Sequence, residues 1–184
     1  MIRKILPLII LSVISNFTFC QERSVYTIDP SVRSKVKPGQ LFGANLDIEW
    51  LIDGKTMPGI LSGKDIPCYA SYEIKNDTAR IILMHPFATT GLLISIFKDS
   101  AWAIHFVGGR DIERSFKKVE NDIEYQYSPD APPVSFKLIL ASPPLNSERI
   151  EGYIEFESVI FYQKGDSGDV KRNYNLKGYF NAQK

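Results

Sequence analysis

Asp47 and Glu49 are the first pair of residues in this chain able to do acid–base chemistry. On a strand, residues two apart share a face and lie about 7 Å from each other. That separation falls within the range used by the two carboxyl groups of glycoside hydrolases, one protonating the leaving oxygen and the other activating water or attacking the sugar. Glu155 and Glu157 repeat the spacing. Any amphipathic strand with an acidic outer face produces it, and a working pair also needs a cleft and one carboxyl held neutral. No catalytic residue is therefore assigned; Asp47 and Glu49 stand as the enzymatic alternative.

Aromatic rings offer a different chemistry. The chain has 11 Phe, 9 Tyr and 2 Trp. Tyr125 and Tyr127 sit on an apolar parity beside the Pro-rich stretch Ser128–Pro133, and Tyr69 and Tyr153 fall on outward parities. Exposed rings at a strand end stack on a sugar or clasp an apolar ligand. Tyr125 and Tyr127 are the candidate ligand-binding residues, with ordinary cross-strand packing as the plainer alternative. Trp50 and Trp102 lie on apolar parities and read as core.

Metal and nucleophile chemistry lack a signature. His85 and His105 are the only histidines, and neither belongs to a His-x-His or His-Glu-x-x-His arrangement. His85 precedes Pro86 and reads as a loop residue; His105 alternates with Ala103 and Val107 and reads as a packed or edge histidine. Gly165-Asp166-Ser167-Gly168-Asp169 does not match the alternate ligands and closing Glu of an EF-hand, and reads as a solvated loop. No Gly-x-Ser-x-Gly is present. Cys68 shares a parity with Ile66, Ala70 and Tyr72 and reads as a small buried hydrophobe. No metal and no cofactor is expected.

Arg3 and Lys4 precede an apolar run from Ile5 to Ile14 interrupted only by Pro7 and Ser12. The run is too short to span a bilayer and fits a secretory signal peptide over residues 1–20. Cleavage is expected after Cys20, leaving Gln21 at the N-terminus of a protein placed in the periplasm, on the cell surface or in the medium. Lipidation of Cys20 would instead anchor the domain to a membrane, but bulky Phe19 argues against it. Removing residues 1–20 leaves 184 − 20 = 164 residues, enough for one domain with a real core. Lys+Arg then falls from 22 to 20 against 21 Asp+Glu, a net charge of 20 − 21 = −1. A near-neutral chain without a basic run makes a poor nucleic-acid binder. The expected partner is a small ligand, a glycan or an envelope protein. Only Cys68 would remain, so no internal disulfide is available.

These residues must be positioned by strands. Residues 21–40 read as a polar lead-in with a short edge strand near Val25–Ile28, and residues 41–184 as a single all-β domain. Leu41 opens a clean alternation through Ile52, closed by the turn pair Asp53-Gly54. Ile66–Lys75 and Thr78–Met84 flank the turn Asn76-Asp77; Leu92–Lys98 and Ala101–Val107 flank Asp99-Ser100. Arg110–Tyr127 fits two strands broken near Glu120-Asn121-Asp122 better than one helix, with a short helix over Asp111–Val119 as the alternative, and Val134–Ala141 is a strand with Val134, Phe136, Leu138 and Leu140 inward. The C-terminal stretch alternates strictly. Ile150, Gly152, Ile154, Phe156, Ser158, Ile160 and Tyr162 face one way, Glu151, Tyr153, Glu155 and Glu157 the other. After a loop over Gln163–Asp169, Tyr174, Leu176, Gly178 and Phe180 return as the partner strand. The total is about nine or ten short strands with no long helix, an antiparallel β-sandwich or small sandwich-like barrel.

Two segments carry a resemblance: Phe19-Cys20-Gln21-Glu22, and the closing pattern Ile150-Glu151-Gly152-Tyr153-Ile154-Glu155-Phe156 followed by Gly178-Tyr179-Phe180. The chain resembles the small signal-peptide-bearing β domains of unknown function found in Bacteroidetes. That resemblance implies an exported all-β fold of bacterial origin and supplies no catalytic residue. The expected role is non-enzymatic, a binding or accessory domain of the cell envelope or a secreted one, with the ligand near Tyr125 and Tyr127 or inside an open barrel end. The alternatives are a glycan-acting hydrolase using Asp47 and Glu49, and a structural or interaction domain that pairs through an exposed strand edge.

Overall fold

The computed structural model describes residues 24–36, 45–53, 55–56, 69–84, 90–107, 115–118, 124–126 and 133–184. Residues 1–20, Cys68, His85 and Tyr127 lie outside that set. The described residues form fifteen strands: β1 Ser24–Val25, β2 Thr27–Ile28, β3 Asn45–Ile52, β4 Lys55–Thr56, β5 Tyr69–Lys75, β6 Thr78–Met84, β7 Thr90–Phe97, β8 Ser100–Val107, β9 Ser115–Lys118, β10 Glu124–Gln126, β11 Ser135–Leu140, β12 Arg149–Glu157, β13 Phe161–Gly165, β14 Gly168–Arg172 and β15 Tyr174–Gln183. Two short 3-10 helices, Pro30–Lys35 and Pro144–Asn146, complete the list. The fold is all-β, as expected. The strand number exceeds nine or ten in part because the expected edge strand Val25–Ile28 is divided at Tyr26 into β1 and β2, and because β13 and β14 stand where a loop was expected.

Eleven strands make one barrel-like sheet in the order β1-β8-β7-β6-β5-β15-β12-β11-β2, with β3 on β15 and β4 on β3. Its two ends meet, because only Tyr26 separates β1 from β2. Ser24 and Val25 pair with Ala101 and Ser100 of β8, while Thr27 and Ile28 pair with Ile139 and Leu140 of β11. The Tyr26 hydroxyl donates to the Lys98 carbonyl at 3.1 Å, and Asp29 N–H donates to the Leu140 carbonyl at 2.9 Å. Most pairings are antiparallel; β2 with β11 and β5 with β15 are parallel. Along one edge of β15, β3 pairs from Tyr174 to Asn181 and β5 takes over at Gln183.

Turn chemistry and strand period explain these elements. Asn76 and Asp77 sit at positive φ (49° and 58°), as a tight hairpin turn between right-twisted strands requires. Lys98 at φ 53° turns the β7–β8 hairpin one residue earlier than the expected Asp99-Ser100. Ala79, Ile81 and Leu83, then Leu92, Ile94 and Ile96, then Ala101 and Ala103, point inward at period two and are buried. Leu138, Leu140, Ile150, Ile154, Phe156, Leu176, Phe180 and Ala182 meet them from the other half of the barrel in one continuous cluster. These side chains pack together inside the barrel, as in other small barrels.

The C-terminal stretch departs from its expected form. The segment Gln163–Asp169 is not a loop: β13 and β14 pair from Phe161↔Arg172 to Gly165↔Gly168 as a second hairpin nested inside β12–β15. It belongs to a separate four-stranded sheet, β10-β9-β13-β14. The cause lies at Ser158. Its N–H donates to the Tyr174 carbonyl, its hydroxyl accepts from Tyr174 N–H at 2.9 Å, and its carbonyl accepts from the Asn173 amide at 2.9 Å. With these groups satisfied there, β12 ends and the chain leaves the barrel. The parity then flips, so Phe161 is fully buried while Ile160, expected inward, is 47 % exposed. The second sheet rests on the barrel through Phe161, whose ring lies 5.5 Å from Tyr174 and 5.8 Å from His105.

Two further expectations are corrected. Trp102 is half-buried on the outer face of β8, because the inward parity belongs to Ala101, Ala103 and His105. Val134 is 63 % exposed, since it precedes the first paired residue of β11.

Candidate functional site

The outer face of β12 and β15 gathers the best-defined set of rings and charges. Pairing of these strands places Tyr153 opposite Tyr179, Glu155 opposite Lys177 and Glu151 opposite Asn181. All have outward parity, because Ile154, Phe156, Leu176 and Phe180 take the core. The two tyrosine rings stand 4.9 Å apart, tilted by 52°, and both are half-buried. They form an aromatic floor.

One end of that floor is walled by the helix Pro30–Lys35. Asp29 caps this helix by accepting from Ser31 N–H at 2.9 Å, and Pro30 fits its first turn. Val32 is buried, and Arg33 Nε donates to Glu151 Oε2 at 2.8 Å. Lys35 brings its ammonium to 5.9 Å from the Tyr179 ring centroid, a cation–π distance. Asn181, opposite Glu151, is 3 % exposed, and its Oδ1 has no hydrogen-bond partner among the described residues. A buried acceptor left unpaired is uncommon.

The other end is polar. The Tyr153 hydroxyl donates to Glu155 Oε1, and the Lys177 ammonium lies 3.2 Å from the same oxygen. The Tyr153 hydrogen bond first, and Lys177 with it, hold the Glu155 carboxyl below the usual carboxylate range. Glu155 raises the Lys177 ammonium in return. Burial, followed by the Glu155 bond, raises the Tyr153 phenol. Glu155 is thus a fixed ionised acceptor, while a general acid needs a carboxyl pushed upward. The register extends the row across four strands: Lys137, Glu155, Lys177 and Glu49 are successive partners on β11, β12, β15 and β3. Their charges alternate, as favourable cross-strand neighbours do.

The sequence-derived candidates are placed as follows. Asp47 and Glu49 lie on β3, in register with Tyr179 and Lys177 of β15. Their side chains are outside the described part of the structure. Tyr125 lies on β10 in register with Lys117 of β9, on the second sheet and away from the tyrosine floor; Tyr127 is outside the described residues. Elsewhere on that sheet, Phe116 stacks on Tyr162 at 5.8 Å, with the Lys118 ammonium 4.8 Å from the Tyr162 ring. Sequence reasoning missed the pairing of Tyr153 with Tyr179. The outward parity of Tyr153 was visible; its neighbour comes from a strand more than twenty residues away.

Among the described residues, no group of three or more His, Cys, Asp or Glu comes together to hold a metal ion. No helix among them is long and apolar enough to cross a membrane. The class defined at this point is an all-β barrel-like domain with a small second sheet on one end. No family model, no curated protein and no solved structure matches the chain.

Proposed function

We propose that this protein is an exported binding or accessory domain, of the cell envelope or secreted, whose ligand rests on the outer face of β12 and β15. The observation that carries the reading is the Tyr153–Tyr179 floor, bounded by Lys35 on one side and by Glu155 and Lys177 on the other. Half-buried rings beside fixed donors and acceptors offer a ligand both apolar contact and orientation. The continuous apolar cluster inside the barrel supports an outer seat over an inner one. Export rests on the basic start at Arg3 and Lys4 and the apolar run Ile5–Ile14, with cleavage near Cys20.

A thermal-shift screen against glycans, fatty acids, haem and divalent cations tests this reading, run in parallel on the wild type and on Tyr153→Ala/Tyr179→Ala. A ligand that binds only the folded state raises the melting temperature by mass action. The reading requires a shift in the wild type that the double variant loses. Equal shifts in both proteins would place the ligand elsewhere and sink the proposed seat. Intact mass of the exported protein checks the processing: a start at Gln21 is expected, and a lipid increment on Cys20 would replace release by anchoring.

A further inference from the structure

We infer that the ligand of this face is a neutral polysaccharide chain lying across the strands, an assignment that rests on the binding role proposed above. Three features of the face carry it.

The first is charge balance. The row Lys137, Glu155, Lys177, Glu49 alternates in sign from β11 to β3, and Glu155 is already met by Lys177 at 3.2 Å. A strongly anionic or cationic ligand would find each ammonium or carboxylate beside its opposite and gain little from either. Hydroxyl groups, which donate and accept at once, can use both signs.

The second is shape. The parallel row Ile139, Tyr153, Tyr179, Asp47 also crosses four strands, a span of about 14 Å at the usual inter-strand spacing. The walling helix Pro30–Lys35 stands beside this row, at Glu151 and Tyr179, and does not cross the Glu155–Lys177 row. Among the described residues the seat is therefore a shelf running in the strand-to-strand direction, suited to the middle of a chain. A terminal sugar is ordinarily held in a pocket.

The third is the floor itself. Tyr153 and Tyr179 are tilted by 52° and do not make one plane. Two successive sugar rings, themselves rotated about the linkage, can each meet one tyrosine face. The Glu155 carboxylate and the Lys35 and Lys177 ammonium groups flank the floor and offer hydroxyl groups both an acceptor and donors.

The experiment is calorimetric titration of the full chain with neutral hexose oligosaccharides from one to six residues. Cello-, manno- and malto-series are used, with oligogalacturonate as the anionic control. Affinity is expected to rise at least tenfold from the monosaccharide to about the tetramer and then level off, since a shelf of about 14 Å is then full. Tyr179→Ala and Tyr153→Ala should each weaken the tetramer about tenfold, the factor that loss of one aromatic stacking contact supplies. Tighter binding of oligogalacturonate than of every neutral series would overturn the inference of neutrality. Binding of a monosaccharide as tight as that of the tetramer would overturn the inference of a chain. If another ligand class binds in a tyrosine-dependent way while no oligosaccharide does, the polysaccharide assignment fails and the binding role survives. If no ligand shows tyrosine dependence, both fall.

Discussion

Gly152 lies directly opposite Phe180 across β12 and β15, and the Phe180 ring fills the space that a side chain on residue 152 would need. A β-carbon built on Gly152 would stand 2.6 Å from Phe180 Cζ and 2.9 Å from the Ile139 carbonyl oxygen. The ring could swing, but the carbonyl belongs to the neighbouring strand β11 and is fixed by pairing. Gly152→Ala should therefore destabilise the fold by about 1–3 kcal/mol, the ordinary cost of overpacking a dense core. Urea denaturation measures it. Shortening the ring in Gly152→Ala/Phe180→Leu should recover only part of the loss, because the carbonyl contact persists. A full recovery would assign the whole cost to the ring.

His105 contributes a pH dependence above the carboxylate range. It is 1 % exposed, among the rings of Phe156, Phe161 and Tyr174, where burial lowers its pKa from 6.5 to about 3. Below pH 6.5 the unfolded chain takes up a proton that the folded chain refuses. Stability from this residue is thus lost as pH falls from 6.5 toward 3, at up to about 1.4 kcal/mol per pH unit. Glu155, lowered from 4.5, works in a lower window: its contribution is complete above 4.5 and is lost only as pH falls below that value. Melting temperatures between pH 6.5 and 4.5 should therefore drop in the wild type and stay flatter in His105→Phe. A slope identical in both proteins would mean that His105 is protonated in the fold.

Much of this architecture could be read from the chain, and the limits are physical. Strict period-two alternation in Ile150–Phe156 and Tyr174–Phe180 reported β12 and β15 and their core faces correctly, because each strand has one buried and one solvated side. The hairpin β13–β14 was hidden, because Lys164, Asp169, Lys171 and Arg172 give it no apolar parity and its start depends on hydrogen bonds of Ser158 to residues fifteen or sixteen positions away. Trp102 misled because the inward places on β8 take small side chains, Ala101 and Ala103, which leaves the largest ring outside. The tyrosine floor is a product of register between β12 and β15, which alternation cannot supply: parity tells which face a ring occupies and says nothing about its neighbour across the gap.

Glu151 should behave as the centre of a buried triad. It is 6 % exposed, with Arg33 Nε at 2.8 Å on one oxygen and Arg149 at 3.2 Å on the other. Both arginines are more than half exposed. Removing either one leaves the carboxylate a partner, so Arg33→Ala and Arg149→Ala should each cost no more than about 1 kcal/mol. Removing both leaves a buried charge uncompensated and should cost about 3–5 kcal/mol. A double-mutant cycle reads the excess directly. Simple additivity of the two singles would show that water reaches Glu151 once the helix Pro30–Lys35 is untethered.

The seam of the barrel is a thin closure. β1 and β2 contribute two paired residues each, and Val25 and Ile28 are 75 % and 43 % exposed, so this stitch buries little apolar surface. Its value is topological: Ser24 to Ile28 ties the end of β8 to the end of β11, and Tyr26 packs against the core as it passes. A chain beginning at Pro30 would retain every other pairing and the buried Val32, yet leave those edges of β8 and β11 unpaired. Unpaired edges exchange their amide protons quickly and recruit other strands. Hydrogen exchange of the truncated chain should therefore accelerate at Ser100–Ala101 and Ile139–Leu140 while Ile81–Leu83 stays protected, and size-exclusion chromatography should show concentration-dependent association. Substituting proline at Val25 alone removes one backbone donor and should give the same pattern more weakly. Unchanged exchange at both edges in the truncated chain would mean that β8 and β11 are held together without the stitch.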